Sequence, residues 1–263
     1  VSGAHRAPLV IVLHGGGGHG ENAADMTGFT DKARREGFFV AYPDGSGKRR
    51  GRLLTWNARH CCGYAMTRHV DDVGFIRTLI ATLVRDLPVD PARIYVTGLS
   101  NGGMMTHRLG IELSGTVAAI APVVAGLFGD EPPPAGPVPI LIINGALDDS
   151  VPPAGGPPGG RAPRAWDGTP VKPAAYQAEF WAAANRCDPQ PEKSSTGPGP
   201  AYVDVWRYRC PAGGDVVRYL VGDNGHAWPG GHRGSRRGDT PSKAVDATDL
   251  IWDFFKAHSR SAR

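Results

Sequence analysis

The sequence predicts an α/β fold, a mostly parallel central sheet flanked by helices on both faces. Two observations carry this. Segments of strand and helix character alternate along the chain, and repeated βα alternation places crossover helices over a parallel sheet. Strand segments such as residues 7–14 are apolar runs without polar alternation, as strands buried on both faces require. The 263 residues are enough to bury one sizeable core. No internal repeat or linker divides them, so residues 1–263 are read as a single domain.

Residues 7–14 open the series as a strand rich in Val, Ile and Leu. Residues 22–36 read as one helix, and 37–44 as a second strand closed by Pro43-Asp44-Gly45. Residues 70–87 read as a helix with apolar Val73, Ile76, Leu79, Ile80 and Leu83. Asp71 and Asp72 at its start suit the positive end of the helix dipole, and Pro88 ends it. A strand at 93–100 runs into a helix at 101–113, followed by strands at 117–125 and 138–148. Residues 152–173 are crowded with Pro and Gly and read as an irregular surface excursion. A helix at 174–185, strands at 203–210 and 216–221, and an amphipathic helix at 244–257 complete the chain.

The net charge of +4 is mildly basic. Much of it sits in Lys48-Arg49-Arg50-Gly51-Arg52 and Arg233-Gly234-Ser235-Arg236-Arg237, both among glycines. These read first as solvated loop charge, with a groove for an acidic substrate or anionic polymer as the alternative. Neither a long basic stripe nor a module with stacking aromatics is present, so no nucleic-acid partner is expected. No apolar run approaches the roughly 20 residues that span a bilayer. Val1-Ser2-Gly3 shows no charged segment leading into an apolar core, which a chain trimmed to its mature form would share.

Four cysteines allow three pairings. Cys187 and Cys210 flank a Pro/Gly/Ser-rich segment and can bridge at the base of a hairpin, the favoured pairing and one that implies an oxidising compartment. Adjacent Cys61 and Cys62 are either a vicinal bridge or two buried thiols. The spacing matches no zinc pattern, so no metal is expected.

The central chemical signal is Gly98-Leu99-Ser100-Asn101-Gly102-Gly103. It satisfies G-x-S-x-G where a strand meets a helix, the setting of a nucleophile elbow. Such a turn holds the serine hydroxyl out at the carboxyl edge of the sheet and at a helix N-terminus. A serine hydroxyl needs a base within hydrogen-bond reach. Of the nine histidines, His226 follows the last strand and precedes the last helix, in a loop at the correct end of the sheet. Asp148, at a strand end between serine and histidine, is the orienting acid, with its neighbour Asp149 as the alternative. The order Ser100, Asp148, His226 is that of α/β-hydrolases. Leu13-His14-Gly15-Gly16-Gly17-Gly18 follows the first strand and supplies an oxyanion loop. The expected donors are the amides of Gly16 and Asn101, with Gly17 as the alternative to Gly16. The loop lacks the Lys-Ser/Thr of a P-loop and the dinucleotide G-x-G-x-x-G.

Together with Tyr42-Pro43-Asp44-Gly45, Trp56-Asn57, Cys61-Cys62-Gly63, residues 70–76, Val151-Pro152 and Gly225-His226-Ala227-Trp228-Pro229-Gly230, these motifs resemble the polyhydroxybutyrate-depolymerase and feruloyl-esterase group of α/β-hydrolases over nearly the whole chain. The resemblance implies the α/β-hydrolase fold and an extracellular or periplasmic enzyme cleaving esters of hydroxy acids, hydroxycinnamates or acylated polysaccharide. It favours Asp148 over Asp149 and implies the Cys187–Cys210 bridge. One departure is Asn144-Gly145 where the group often has His-Gly. No polymer-binding module is visible, which favours soluble or oligomeric esters.

The expectation is therefore a secreted serine carboxylic-ester hydrolase working through an acyl-enzyme without a cofactor, with Trp56 and Trp228 as candidates to line the substrate pocket. A serine peptidase or amidase on the same scaffold, and a non-catalytic binding protein that keeps the fold, are the rivals. The oligomeric state is not legible.

Overall fold

The computed structural model describes residues 6–49, 51–159, 165–211 and 213–260. Arg50 of the first basic cluster and residues 160–164 of the Pro/Gly excursion lie outside them. Eight strands form one sheet: β1 (Ala7–Leu13), β2 (Phe39–Ala41), β3 (Val89–Leu99), β4 (Ala119–Val123), β5 (Ile140–Gly145), β6 (Glu192–Thr196), β7 (Val203–Tyr208) and β8 (Val216–Val221). Their spatial order is β2-β1-β3-β4-β5-β8-β7-β6. The first six run parallel, and β7 and β6 add antiparallel at one edge.

Seven helices accompany it among the described residues: α1 (Gly20–Thr27), α2 (Phe29–Glu36), α3 (Gly63–Thr67), α4 (Asp72–Asp86), α5 (Asn101–Glu112), α6 (Ala174–Ala184) and α7 (Ala247–Lys256). The period-2 geometry of β1 sends Leu9, Ile11 and Leu13 to one face, where they pack with Ile76 and Ile80 of α4, Met105 and Leu109 of α5 and Trp181 of α6. Val10 and Val12 go to the other face, with Phe29 of α2 and Ile251, Trp252 and Phe255 of α7. Both faces are covered there, which is why β1 and β4 carry no polar alternation.

The single helix expected over 22–36 is two helices. Gly28 adopts φ 68° and its N–H returns to the carbonyl of Ala24, a left-handed cap that ends α1 and starts α2 at a new angle. The sequence reading also missed β6, whose five residues are all exposed and polar; among the described strands it pairs with β7. Cys187 and Cys210 are disulfide-bonded across the β6–β7 hairpin, and Cys61 is bonded to Cys62. No described helix is long and apolar enough to cross a membrane.

The chain leaves β1 toward β2 on one side and β3 on the other. This reversal is the position where open α/β sheets bind ligands, outside the carboxyl ends of the strands.

Candidate active site

Ser100 sits between β3 and α5 with φ 56° and ψ −120°, a backbone conformation that costs an L-residue free energy and persists only when its surroundings enforce it. Here they do. A Cβ on Gly98 would stand 2.6 Å from the Gly102 carbonyl, and one on Gly102 would stand 2.5 Å from the carbonyl oxygens of Leu13 and His14. The two glycines let strand, helix and oxyanion loop close on each other around the serine.

His226 Nε2 lies 2.8 Å from Ser100 Oγ. Its Nδ1 lies 3.0 and 2.9 Å from the two carboxylate oxygens of Asp148. A carboxylate only accepts, so Nδ1 carries the ring proton and Nε2 turns its lone pair to the serine hydroxyl, which donates. Asp148 is buried, and its Oδ1 also accepts the N–H groups of Ser150 and Val151 at 2.9 and 2.8 Å. Asp149 is exposed and faces the Ser150 hydroxyl. The structure thus brings together Ser100, Asp148 and His226, and leaves Asp149 aside.

The histidine loop is held by residues the sequence reading did not single out. Asp239 Oδ2 accepts the His226 N–H at 2.7 Å. Buried Asn224 donates to the carbonyls of Gly225 and Ala227 and accepts from the Ser242 N–H. Gly145, ending β5, has no room for a Cβ beside the carbonyls of Asn224 and Gly225, so the acid-bearing strand and the histidine loop pack backbone to backbone. Asn144 donates to the Ala125 carbonyl at 3.4 Å and accepts from Arg218, tying the strand to the loop after β4.

The glycine loop after β1, the candidate oxyanion loop, lies against the elbow. A Cβ on Gly15 would stand 3.7 Å from the Ser100 Cβ, and one on Gly16 would stand 3.6 Å from the Asn101 Cβ. Asn101 is the first residue of α5, so its N–H has no intrahelical acceptor. The Gly17 N–H is already committed to the Leu54 carbonyl at 2.7 Å, whereas that of Gly16 has no partner among the described residues. Of the two alternatives in the loop, Gly16 is the one with a free donor.

His14 fixes that donor's direction. Fully buried, it accepts the Gly45 N–H at Nε2 (3.0 Å), and its Nδ1 therefore donates to the Gly15 carbonyl (2.8 Å). The Gly18 N–H reaches the same carbonyl at 3.0 Å. In a trans peptide the N–H points opposite to the C=O, so pinning the Gly15 oxygen turns the Gly16 N–H away from the loop interior. Burial lowers the His14 pKa, outweighing the carbonyl contact that raises it, which keeps the ring neutral in this one tautomer.

Trp56 and Trp228 do not meet the expectation of substrate contact, for both are fully buried. Trp56 N–H and C=O form a two-bond lock with the Asn101 side chain at 2.7 and 2.9 Å, and its indole N–H donates to the His14 carbonyl. It supports the oxyanion loop from behind. Trp228 stands edge-on to Phe29 and donates to Thr248, inside the core under α1, α2 and α7. Asp71 caps α4 through the Gly74 N–H, and buried Asp72 accepts the Asn57 N–H at 2.6 Å, so both acids hold structure around the Trp56 segment.

A constellation of this kind can transfer an acyl group: a hydroxyl paired with a base, a base paired with a buried carboxylate, and two N–H groups beside them, one in the glycine loop after β1 and one at the start of α5. Comparison with known proteins points the same way. The family model described as Esterase PHB depolymerase matches residues 2–151. Feruloyl esterase B of Piromyces equi is 29% identical over 265 residues, covering 98% of this chain and 43% of that protein. Putative esterase NocK of Nocardia uniformis subsp. tsuyamanensis is 31% identical over 242 residues, covering 85% of this chain and 66% of that one. The chain thus spans less than two thirds of the length of either relative. Among solved structures, an acetyl xylan esterase from Aspergillus awamori superposes with a TM-score of 0.62 at 15% identity, over 96% of this chain and 90% of that one. The fold is that of the α/β-hydrolases.

Proposed function

We propose a function from one premise: this chain belongs to the esterase PHB depolymerase family, and it is a carboxylic ester hydrolase. Ser100 is the nucleophile, His226 the base and Asp148 the acid that orients it. The observation that carries this is the pair of His226 contacts, 2.8 Å to Ser100 Oγ on one side and 2.9 Å to Asp148 on the other.

Ser100 Oγ attacks the ester carbonyl carbon as its proton passes to His226 Nε2, and Asp148 stabilises the imidazolium through Nδ1. The oxygen that becomes negative accepts the N–H groups of Gly16 and Asn101, each worth about 100-fold or more in rate at such sites. Collapse expels the alcohol, which takes the proton from Nε2. Water then enters and attacks the acyl carbon as its proton passes to the same nitrogen; the C–Oγ bond breaks, the acid leaves, and Nε2 returns the proton to Ser100 Oγ.

Residues 1–263 act as one catalytic domain. The substrates are esters of hydroxy acids, hydroxycinnamates or acylated polysaccharide, a choice supported by relatives named feruloyl esterase, acetylxylan esterase/xylanase and poly(3-hydroxyalkanoate) depolymerase. The protein works outside the cytoplasm, as the Cys187–Cys210 bridge favours.

A fluorophosphonate probe tests the mechanism. It is expected to add to Ser100 alone, to leave Ser100→Ala unmodified and to react far more slowly with His226→Ala. A labelled Ser100→Ala, or a folded wild-type protein that resists the probe, would overturn the assignment. Turnover of methyl ferulate, acetylated xylan, hydroxybutyrate oligomers and p-nitrophenyl butyrate, beside matched amides, then ranks the substrates. Faster cleavage of the amides would make the protein a peptidase or amidase instead.

A further inference from the structure

The two basic clusters, 185 positions apart when counted from Lys48 to Arg233, lie on loops that are both anchored beside the glycine loop after β1, at the carboxyl edge of the sheet. The first lies on a loop that folds back on itself, with Ser46 bridged to Thr55 and Arg49 to Arg52. Its returning limb leans on the oxyanion loop: Leu54 accepts the Gly17 N–H, and Leu53 Cδ2 is 3.8 Å from where a Gly17 Cβ would stand. The second cluster lies in the histidine loop. The Gly234 carbonyl accepts from Asn22, whose side-chain oxygen lies beside Gly18, while Asp239 further along holds the His226 N–H. Between these anchors Ser235 and Gly238 close a turn through a 3.0 Å hydrogen bond, with Arg236 and Arg237 at its corner.

Lys48, Arg49, Arg52, Arg233, Arg236 and Arg237 are all exposed. Among the described residues none of the six reaches a carboxylate within ion-pair distance; Arg233 donates to the Thr240 hydroxyl. Of the carboxylates on the same loops, Asp44 and Asp239 are turned to the backbone N–H groups of Gly20 and His226, Asp223 accepts from the Ser242 hydroxyl, and Asp246 caps α7 through the Asp249 N–H. Unpaired like charges brought to one mouth repel each other, so the fold maintains a positive field where ester enters. The exposed apolar residue beside this field is aliphatic Leu53, which offers no ring for a nucleobase to stack on.

We propose that the ester hydrolysed at Ser100 carries a carboxylate, which the turns bearing Arg52 and Arg236-Arg237 attract from either side of the reacting carbonyl. This rests on the esterase reading and narrows its substrate class to acidic esters. The carboxylate can belong to the carrier, as in an acylated uronate oligosaccharide, or to the free acid end of a hydroxy-acid oligomer.

Matched substrate pairs separate the two sources. Acetylated galacturonate oligosaccharide is compared with acetylated xylo-oligosaccharide, and hydroxybutyrate trimer with its carboxyl-methylated form. In at least one pair the acidic member is expected to show a kcat/KM about tenfold higher at low salt. The advantage is expected to fall toward unity by about 0.5 M salt, where screening shortens the reach of the field. Arg52→Glu/Arg236→Glu/Arg237→Glu is expected to abolish the preference, and the triple lysine variant to retain it. Equal turnover within both pairs at low salt, or a preference that survives charge reversal, would overturn this proposal while leaving the esterase intact. If no ester of either kind turns over and Ser100 resists the fluorophosphonate, the esterase reading itself fails.

Discussion

Replacing His14 by alanine tests how the oxyanion donor is aimed. The imidazole bridges two backbone groups, accepting from the Gly45 N–H at 3.0 Å and donating to the Gly15 carbonyl at 2.8 Å. Its removal leaves the Gly45 N–H without its partner, a cost of about 1–3 kcal/mol for a buried donor, and opens a cavity in a fully buried site. Roughly 3 kcal/mol in all corresponds to a fall in Tm of about 6–12 °C for a chain of this size. The catalytic effect is separate. With only the Gly18 N–H left on the Gly15 carbonyl, the Gly15–Gly16 peptide gains freedom to turn, and the Gly16 N–H spends less time at the developing negative charge. Complete loss of one such donor costs about 100-fold or more in kcat, so His14→Ala is expected to lose about 10- to 100-fold in kcat with KM little changed. Steady-state kinetics on p-nitrophenyl butyrate well below the variant's Tm reads this directly. A kcat within about twofold of wild type, alongside the expected loss of Tm, would refute the positioning role and leave His14 as structural support.

Three further outcomes follow from the same contacts. Gly102→Ala places a methyl 2.5 Å from the Leu13 and His14 carbonyl oxygens; strain of this kind costs typically about 1–3 kcal/mol, and chemical denaturation should register it together with a loss of fluorophosphonate labelling. Replacing Cys187 and Cys210 by alanine opens a loop of 23 positions, for which chain entropy gives about 3 kcal/mol; an unchanged denaturation midpoint would show that the hairpin is constrained without the bridge. His107, fully buried between Gln177 and Trp181, has its pKa lowered to about 4 by burial. Its folded value lies below the unfolded one near 6.5, so the unfolded chain binds the extra proton first, and stability should fall as pH drops from 6.5 toward 4, by up to about 3 kcal/mol. A His107→Gln variant should lack that share of the slope in stability measured against pH.

Much of the candidate site's geometry was legible because its signals are local. The elbow is six consecutive residues between a strand and a helix, and Asp148 and His226 each follow a recognisable strand. The α/β architecture was legible for the same reason, since burial on both faces writes itself as apolar runs into β1 and β4 and into residues 94–96 of β3 and 140–143 of β5. What escaped depends on partners far along the chain. Trp56 has the character of a pocket residue until its contacts with Asn101 and His14 are seen, 45 and 42 positions away. Asp239 lies in a polar loop where nothing local marks it as the anchor of His226. β6 has no apolar residue to announce it, and Gly28 resembles an ordinary helical glycine until its positive φ divides the segment.

The hydroxyl of Ser100 meets the His226 imidazole 126 positions away, and that ring meets the Asp148 carboxylate across 78. No fragment holding only one of these loops can assemble the trio, so under the proposed mechanism a chain that has lost the order of β3, β5 and β8 presents an ordinary, unreactive alcohol. Covalent capture at this one oxygen therefore counts intact molecules: in a partly denatured sample, the fraction that reacts is a census of those whose sheet is still whole.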